Sequence, residues 1–299
     1  MNKSNPLLYG ITPPKIDHNQ EKLARINNKR IERITAGAPD ALIVYDIQDE
    51  KDRTSDTRPF PYIETIHPYE YASSDLKALE LPKIVYLSVG KYRVEELKTI
   101  LTNMQQASQP YSIVFVGSPS SASIGNTSLK EAYSLYQQMK PNIPMGGILI
   151  AERHKNTKKE HESLIRKTKA GCTFFVSQCV YNAGLFKDVL SDYYYTCQDQ
   201  EIPMQPVYIT LTPCGSSKTL DFIRWLGIEV PRWLENDLKR NKDMLEQSIH
   251  HCREIFLETK DFCDRKGIPL GCNIESVAIR RDEVLASFEL LKQIRQISS

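Results

Sequence analysis

The segment TFFVSQCVYN, residues 173–182, places a glutamine at the end of an apolar run that is typical of a buried strand. A strand that is buried on both faces has no structural need for an amide at its tip. The Gln178 side chain offers both a hydrogen-bond donor and an acceptor. Two interpretations therefore stay open, a contact to a ligand and an amide that only satisfies the strand end.

The stretch AERH, residues 151–154, adds acid-base groups to what we predict to be the tip of another strand. Because side chains alternate along a strand, Glu152 and His154 are expected to share one orientation. This pair is either an ion-paired strand end or a ligand contact from His154, and the sequence favours neither.

A predicted helix follows in EHESLIRKTKAG, which carries Glu160, Ser163, Arg166 and Lys167 on successive turns. Residues 160, 163 and 167 lie along one helix face. From spacing alone, a solvated charged face is the favoured interpretation.

The absence of several well-known sequence motifs argues against some enzyme classes. The chain has no HExxH, no Gly-x-Ser-x-Gly and no dinucleotide-binding glycine pattern, which argues against metal hydrolases, α/β-hydrolases and the Rossmann fold. TPCGSSKT, residues 212–219, lacks the spacing of a phosphate-binding loop, and an N-cap by Ser216 or Ser217 explains it better. The polar stretch 45–60 is either a lid or plain solvent-exposed loop.

Composition is that of an ordinary globular protein. The 299 residues carry a net charge of +2, which suggests neither a nucleic-acid partner nor a membrane surface. Seven cysteines without CxxC spacing are typical of reduced thiols, and the N-terminus has no run long enough for a signal peptide. We therefore expect a cytoplasmic, enzyme-like protein.

Eight short apolar runs alternate with helical patterns, which predicts an α/β fold, a single (β/α)8 TIM-type barrel spanning residues 1–299 as one domain. A doubly wound open sheet is the alternative. The predicted strands are 7–11, 41–47, 83–89, 112–117, 146–152, 173–178, 206–211 and 269–277. In such a barrel, chemistry lies at the carboxyl ends of the strands.

The chain also resembles the methylenetetrahydrofolate reductase family over nearly its whole length. The motifs are YGITPPK, YDIQDEKDRT, GGILIAERH followed by EHESLIRKTKAGCTFFVSQCVYN, PVYITLTP, WLGIEVPRWL and IESVAIRRDEV. Their shared order and spacing carry the resemblance, since each match alone is weak.

The resemblance implies FAD in a barrel, NAD(P)H as hydride donor, and reduction of 5,10-methylenetetrahydrofolate to 5-methyltetrahydrofolate. It implies that Gln178 binds the pterin, with Tyr181 and Thr210 as further substrate contacts. It also implies that FAD is held by a polar set comprising Ser118, His154, Glu160, Ser163, Arg166 and Lys167.

Two departures from the family pattern affect catalysis. Gly10 stands where the family has a glutamate that acts as general acid, and Ser118 stands where it has an aspartate. General acid help is typically worth about 10²–10⁴ in rate, so three outcomes stay open. Another acid substitutes, or the chain binds flavin differently or takes hydride directly from a nicotinamide, or it no longer reduces methylenetetrahydrofolate. Glu152 is the leading substitute, and Asp46 is the next, ahead of Asp49 and Glu50.

The first expectation is therefore a divergent, FAD-dependent reductase in one-carbon and methionine metabolism that forms a homo-oligomer. The first alternative is a folate-binding barrel that transfers a one-carbon group without redox chemistry. The second is a non-catalytic folate-binding partner subunit.

Overall fold

A computed structural model describes residues 5–49, 54–117 and 126–298. Within these residues, eight strands form one closed barrel in chain order, which confirms the predicted (β/α)8 fold. The strands are β1 (Leu7–Ile11), β2 (Ala41–Val44), β3 (Lys83–Ser88), β4 (Tyr111–Val116), β5 (Met145–Leu149), β6 (Cys172–Cys179), β7 (Val207–Leu211) and β8 (Leu270–Glu275).

Helices separate the strands. They are α1 (Gln20–Gly37), α2 (Pro68–Glu70), α3 (Val94–Gln106), α4 (Leu129–Met139), α5 (Ala151–Thr157), α6 (Glu160–Lys169), α7 (Ala183–Asp199), α8 (Ser217–Trp225), α9 (Arg232–Arg240), α10 (Met244–Lys266) and α11 (Arg281–Ser298). Gly171 follows α6 with a φ of 109°, a conformation that favours glycine after a helix end. Ser216 caps α8, as predicted, because its side chain accepts a hydrogen bond from the Thr219 amide.

The fifth strand is shorter than predicted. It ends at Leu149, and α5 begins at Ala151, so Glu152 and His154 lie in a helix and not at a strand tip. Ala, Glu, Arg and Lys in this stretch are good helix formers, which explains the change. Two residues apart on a helix point in different directions, and the expected shared orientation of Glu152 and His154 is therefore wrong.

The chain divides into two compact units. The β2–β4 unit comprises the described parts of residues 9–146 and 170–172. In it, β3 and β4 pair in parallel from Lys83 with Tyr111 to Ser88 with Val116, and all six β3 residues are buried. The central residues of β3, IVYL at 84–87, form the continuous apolar run that is typical of a strand buried on both faces.

The β6–β8 unit comprises residues 5–8, 147–169 and 173–298. In it, β7 and β8 pair in parallel from Val207 with Leu270 to Leu211 with Ile274. Gly147 makes room for a large side chain of β6, because a Cβ there would lie 2.8 Å from Cε1 of the buried Phe175 ring. Close packing of this kind fixes where the polar residues at the strand ends emerge.

Candidate functional site

In the β6–β8 unit, side chains near the ends of β5 and β6 hold the chain segment that follows α8. This segment, residues 226–231, has the sequence LGIEVP. Gln178 Nε2 donates a hydrogen bond to the Leu226 carbonyl at 3.0 Å, and Glu152 Oε1 accepts one from the Glu229 amide at 3.0 Å. The segment is thus fixed by hydrogen bonds from two of the residues singled out in the sequence.

The Glu229 carboxylate is itself paired. Its Oε1 accepts from Asn182 Nδ2 at 3.2 Å, and its Oε2 lies 2.7 Å from Lys155 Nζ. Asn182 also caps α7 by accepting from the Leu185 amide at 3.1 Å. One residue of segment 226–231 therefore connects α5 with the start of α7.

Gln178 keeps hydrogen-bonding capacity at the end of β6. Its side chain is half-buried, and within the described ranges its one hydrogen bond uses Nε2 alone. The amide oxygen Oε1 is left as an acceptor. Gln178 is thus oriented by the Leu226 carbonyl and can still bind a donor group.

A second polar pair lies one residue further along β6. Cys179 Sγ donates to Glu275 Oε1 at 2.9 Å. Burial raises the pKa of the Cys179 thiol well above its usual range, and the nearby Glu275 and Glu152 carboxylates raise this pKa further. Cys179 is therefore a proton-bearing donor and not a nucleophilic thiolate.

Thr210 belongs to a buried network. Its hydroxyl donates to the Ser177 carbonyl at 2.6 Å and accepts from Asn273 Nδ2 at 3.2 Å, and all three residues are buried. Tyr181 is buried as well, and its hydroxyl donates to the Thr212 carbonyl at 2.6 Å. Thr210 and Tyr181 thus serve the packing of the strand ends, and their substrate contacts stay a prediction.

The charged residues of α6 point in different directions. Glu160 is buried, and its Oε1 accepts from the Ile150 amide at 3.1 Å. Lys167 Nζ donates to the Ile148 carbonyl. These two side chains bind the backbone at the end of β5, so the face they share is not a solvated one.

Arg166 points away from that backbone. Its side chain is 68% exposed, and its guanidinium lies 3.8 Å from the Glu162 carboxylate one turn earlier. Ser163 is half-buried on the same helix. Arg166 and Lys167 are consequently not brought together as a cationic pair.

His154 lies with other histidine and carboxylate groups. Its side chain is buried, and Nε2 lies 3.0 Å from Asp192 Oδ2 on α7. Together with the separation of Arg166 from Lys167, this placement does not fit the FAD site that the resemblance implies. Ser118, the remaining residue of the expected set, lies outside the described residues, as does Glu50.

In the β2–β4 unit, Asp46 follows the end of β2. Its Oδ2 accepts from the Ser88 amide at 2.8 Å and from the Tyr92 hydroxyl at 2.9 Å, while Oδ1 lies 2.5 Å from Lys91 Nζ. Burial raises the pKa of Tyr92, and the Asp46 carboxylate raises it further. Both oxygens of this carboxylate hold groups at the end of β3 or just after it, which is the geometry of an anchor for the β3 end.

Gly10 lies in the same unit, at the position where the resemblance leads to a glutamate. A Cβ on Gly10 would lie 2.7 Å from Cε2 and 2.8 Å from the hydroxyl of Tyr45. The Tyr45 ring packs edge-on against Tyr86 with centroids 4.9 Å apart. An aromatic ring therefore fills the space that a side chain at position 10 would need.

Comparison with solved structures shows similarity to a protein of known structure over nearly the whole chain. A Clostridium thermocellum structure is described as an uncharacterized protein that binds two copies of 5-methyl-5,6,7,8-tetrahydrofolic acid. It is 43% identical to this chain, with a TM-score of 0.87 over 99% of this chain and 96% of its own. This chain belongs to the family of that Clostridium thermocellum protein.

Other similar structures are distant. A dihydropteroate synthase from Xanthomonas albilineans is 10% identical over 99% of this chain and 93% of its own, with a TM-score of 0.47. A dihydropteroate synthase from Coxiella burnetii is 12% identical over 100% of this chain and 95% of its own, and its TM-score is also 0.47. These values carry no argument about function. Neither the protein-family models nor the curated proteins gave a match.

All seven cysteines are buried, and none of them forms a disulfide in the structure. Among the described residues, no helix has both the length and the apolarity that a bilayer crossing requires.

Proposed function

We propose that this member of the Clostridium thermocellum family binds a reduced folate of the 5-methyltetrahydrofolate class. The observation that carries the proposal is the 43% identity, over 96% of its length, to a protein described as binding two copies of that folate. The barrel fold is compatible with a ligand at the strand ends.

Within the β6–β8 unit, we place the pterin contacts at Gln178 and Glu275. A pterin edge carries an amino group beside a ring N–H, and carboxylate or amide oxygens accept from such donors. Gln178 Oε1 and the Glu275 carboxylate are acceptors at the ends of β6 and β8. The Cys179 thiol orients Glu275, and the Leu226 carbonyl orients Gln178.

The chemistry that best suits this arrangement is binding, or one-carbon transfer without redox chemistry. Reduction is helped by an acid near the folate, and the two leading candidates of the four are already hydrogen-bonded, since Asp46 accepts from Ser88 and Tyr92 and Glu152 accepts from the Glu229 amide. The finer prediction, a reductase that uses NAD(P)H through FAD, is supported by the order of the sequence motifs and stays the second candidate.

Calorimetric titration with 5-methyltetrahydrofolate tests the proposal. The wild-type chain is expected to bind, and Gln178→Leu to bind at least about tenfold more weakly, because loss of a buried hydrogen bond costs about 1–3 kcal/mol. The matched control is Gln106→Leu, which changes an exposed glutamine of α3. The titration also returns the number of folates bound per chain.

Absence of binding by the wild type, or equal binding by Gln178→Leu and wild type, would contradict the proposal or its site. Flavin absorbance and NAD(P)H oxidation distinguish the second candidate, the reductase, from the first. Flavin absorbance at about 450 nm that bleaches with NAD(P)H would identify a reductase. Folate binding without flavin and without NAD(P)H oxidation supports the first candidate.

A further inference from the structure

Three metal-ligating side chains meet in the β6–β8 unit on helices α5, α6 and α7. They are His154, His161 and Asp192, and one donor atom from each lies within 4.8 Å of the other two. His154 Nε2 is 3.0 Å from Asp192 Oδ2, and His161 Nδ1 is 4.0 Å from the same oxygen. Two imidazoles and one carboxylate form a ligand set for divalent transition metals.

The local backbone brings the two histidines together. Helix α5 ends at Thr157, and Lys158 adopts the left-handed conformation with a φ of 53°, its amide donating to the His154 carbonyl at 2.8 Å. Helix α6 then begins at Glu160 and places His161 in its first turn, so the two rings lie with centroids 5.5 Å apart.

The hydrogen bonds of these side chains are incomplete without a further partner. His154 is fully buried, and neither its Nδ1 nor the buried Nδ1 of His161 has a hydrogen-bond partner in the part of the chain that the structure describes. An unsatisfied buried polar atom costs about 1–3 kcal/mol, and an ion bound at His161 Nδ1 would remove that cost at this one of the two atoms.

We propose that His154, His161 and Asp192 bind one divalent transition-metal ion, with Zn²⁺ as the probe of choice. Zinc bonds of roughly 2.0–2.2 Å in tetrahedral geometry place neighbouring ligand atoms roughly 3.4 Å apart. The two measured separations, 3.0 and 4.0 Å, bracket that value. Small side-chain adjustments therefore close the site around an ion.

Access and coordination number also fit. The Asp192 side chain is 48% exposed, while those of His154 and His161 are 1% and 16% exposed. An ion reaches the site from the Asp192 side, and water or an added ligand fills the fourth position. The ion would fasten α5, which carries Glu152, to α6 and α7. This inference does not depend on folate binding.

The test uses the full chain after removal of metal with a chelator. Competition with a chromophoric chelator measures Zn²⁺ affinity, and elemental analysis measures stoichiometry, with one ion per chain expected. His161→Ala and Asp192→Asn are each expected to weaken binding by more than about tenfold, the lower end of what loss of a merely supporting group costs. The control His250→Ala removes an exposed histidine of α10.

The zinc-dependent change in Tm tests metal binding separately from structural support, because residues that only support the fold would not make Tm depend on zinc. Zinc is expected to raise the Tm of wild type and of His250→Ala, because a ligand that binds only the folded state stabilises it. The same shift is expected to be absent in His161→Ala and Asp192→Asn. Wild type without bound zinc or a zinc-dependent Tm shift, or undiminished binding in both variants, would overturn the proposal.

Discussion

The two units use carboxylates near strand ends in different ways. In the β2–β4 unit, the Asp46 carboxylate is buried and both of its oxygens are occupied, by the Ser88 amide, the Tyr92 hydroxyl and Lys91 Nζ. In the β6–β8 unit, the half-buried Glu275 carboxylate accepts from the Cys179 thiol, and Gln178 beside that thiol in sequence keeps an acceptor.

This difference separates an anchor from a binding surface. The Asp46 carboxylate accepts from the Ser88 amide and the Tyr92 hydroxyl and pairs with Lys91 Nζ, so all three of these contacts hold the end of β3 and the residues that follow it. Gln178 is half-buried and is oriented through Nε2 by the Leu226 carbonyl, so its Oε1 can accept from a ligand. This contrast supports the proposal that ligand recognition lies in the β6–β8 unit, with structural support in the β2–β4 unit.

The largest expected effect comes from removing the anchor. Asp46→Ala leaves the Ser88 amide and the Tyr92 hydroxyl without their acceptor, and we expect the free energy of unfolding to fall by about 3 kcal/mol. The Lys91 side chain is 35% exposed, so its ion pair contributes a small part of this loss. Chemical denaturation measures the change.

The matched variant in the other unit is Gln178→Leu, which removes one half-buried hydrogen bond and is expected to cost about 1 kcal/mol. Asp17→Ala, at a 73% exposed aspartate, is the surface control. Equal losses for Asp46→Ala and Gln178→Leu would break the distinction between anchor and binding surface.

A side chain at position 10 is expected to have the next largest effect. Gly10→Ala forces the new Cβ against the Tyr45 ring, and overpacking of this kind costs about 1–2 kcal/mol. A double-mutant cycle with Tyr45→Ala is expected to show coupling of at least about 0.5 kcal/mol, because removal of the ring relieves the clash. If the two substitutions have additive effects on the free energy of unfolding, the Tyr45 ring does not oppose a side chain at position 10. The absence of a glutamate at that position would then need another explanation.

Buried cysteine thiols are expected to make the stability of the β6–β8 unit depend on pH. Burial raises the pKa of six cysteines, all in the β6–β8 unit, and raises that of Cys252 to about 12. An unfolded thiol ionises near pH 8.5, so above that pH the unfolded state binds fewer protons than the folded state and stability falls as pH rises.

Each such thiol contributes a slope of up to about 1.4 kcal/mol per pH unit. Cys252→Ala is therefore expected to lose stability less steeply than wild type between about pH 8.5 and 10. Denaturation curves in a reducing buffer measure the slopes, with Ser287→Ala as a buried, non-titrating control. Parallel slopes for Cys252→Ala and wild type would show that the thiol ionises with a similar pKa in both states.

The architecture could be predicted because strands and helix starts are specified by patterns within short sequence segments. Continuous apolar runs identified all eight strands, and capping residues such as Ser216 placed helix starts. Helical patterns were recognised at 21–34, 94–104, 161–171, 218–228, 241–267 and 283–297. Among the described residues, α2, α4, α5, α7 and α9 were not predicted. In α7, Val189 and the run Tyr193–Tyr195 favour strand by propensity, and packing against the barrel overrides that preference.

The site could be predicted only in part. Gln178 was identified because an amide at the end of an apolar run is unusual, but Glu229 and Glu275 were missed because their partners are distant in sequence. Cys179 and Glu275 are 96 residues apart, and Glu152 and Glu229 are 77 apart. The placement of His154 at a strand tip was wrong because the end of a short strand is set by the helix that follows it.

The smallest expected effect compares two neighbouring residues of α6. Lys167 Nζ donates to the Ile148 carbonyl, whereas Arg166 pairs only loosely with Glu162 at the surface. Lys167→Met is expected to cost about 1 kcal/mol of unfolding free energy, and Arg166→Met less than about 0.5. If both residues bound a flavin diphosphate, both variants would instead lose cofactor, which absorbance of the purified proteins measures. Equal flavin loss would contradict the division between a backbone contact at Lys167 and a solvent contact at Arg166, and it would favour the reductase.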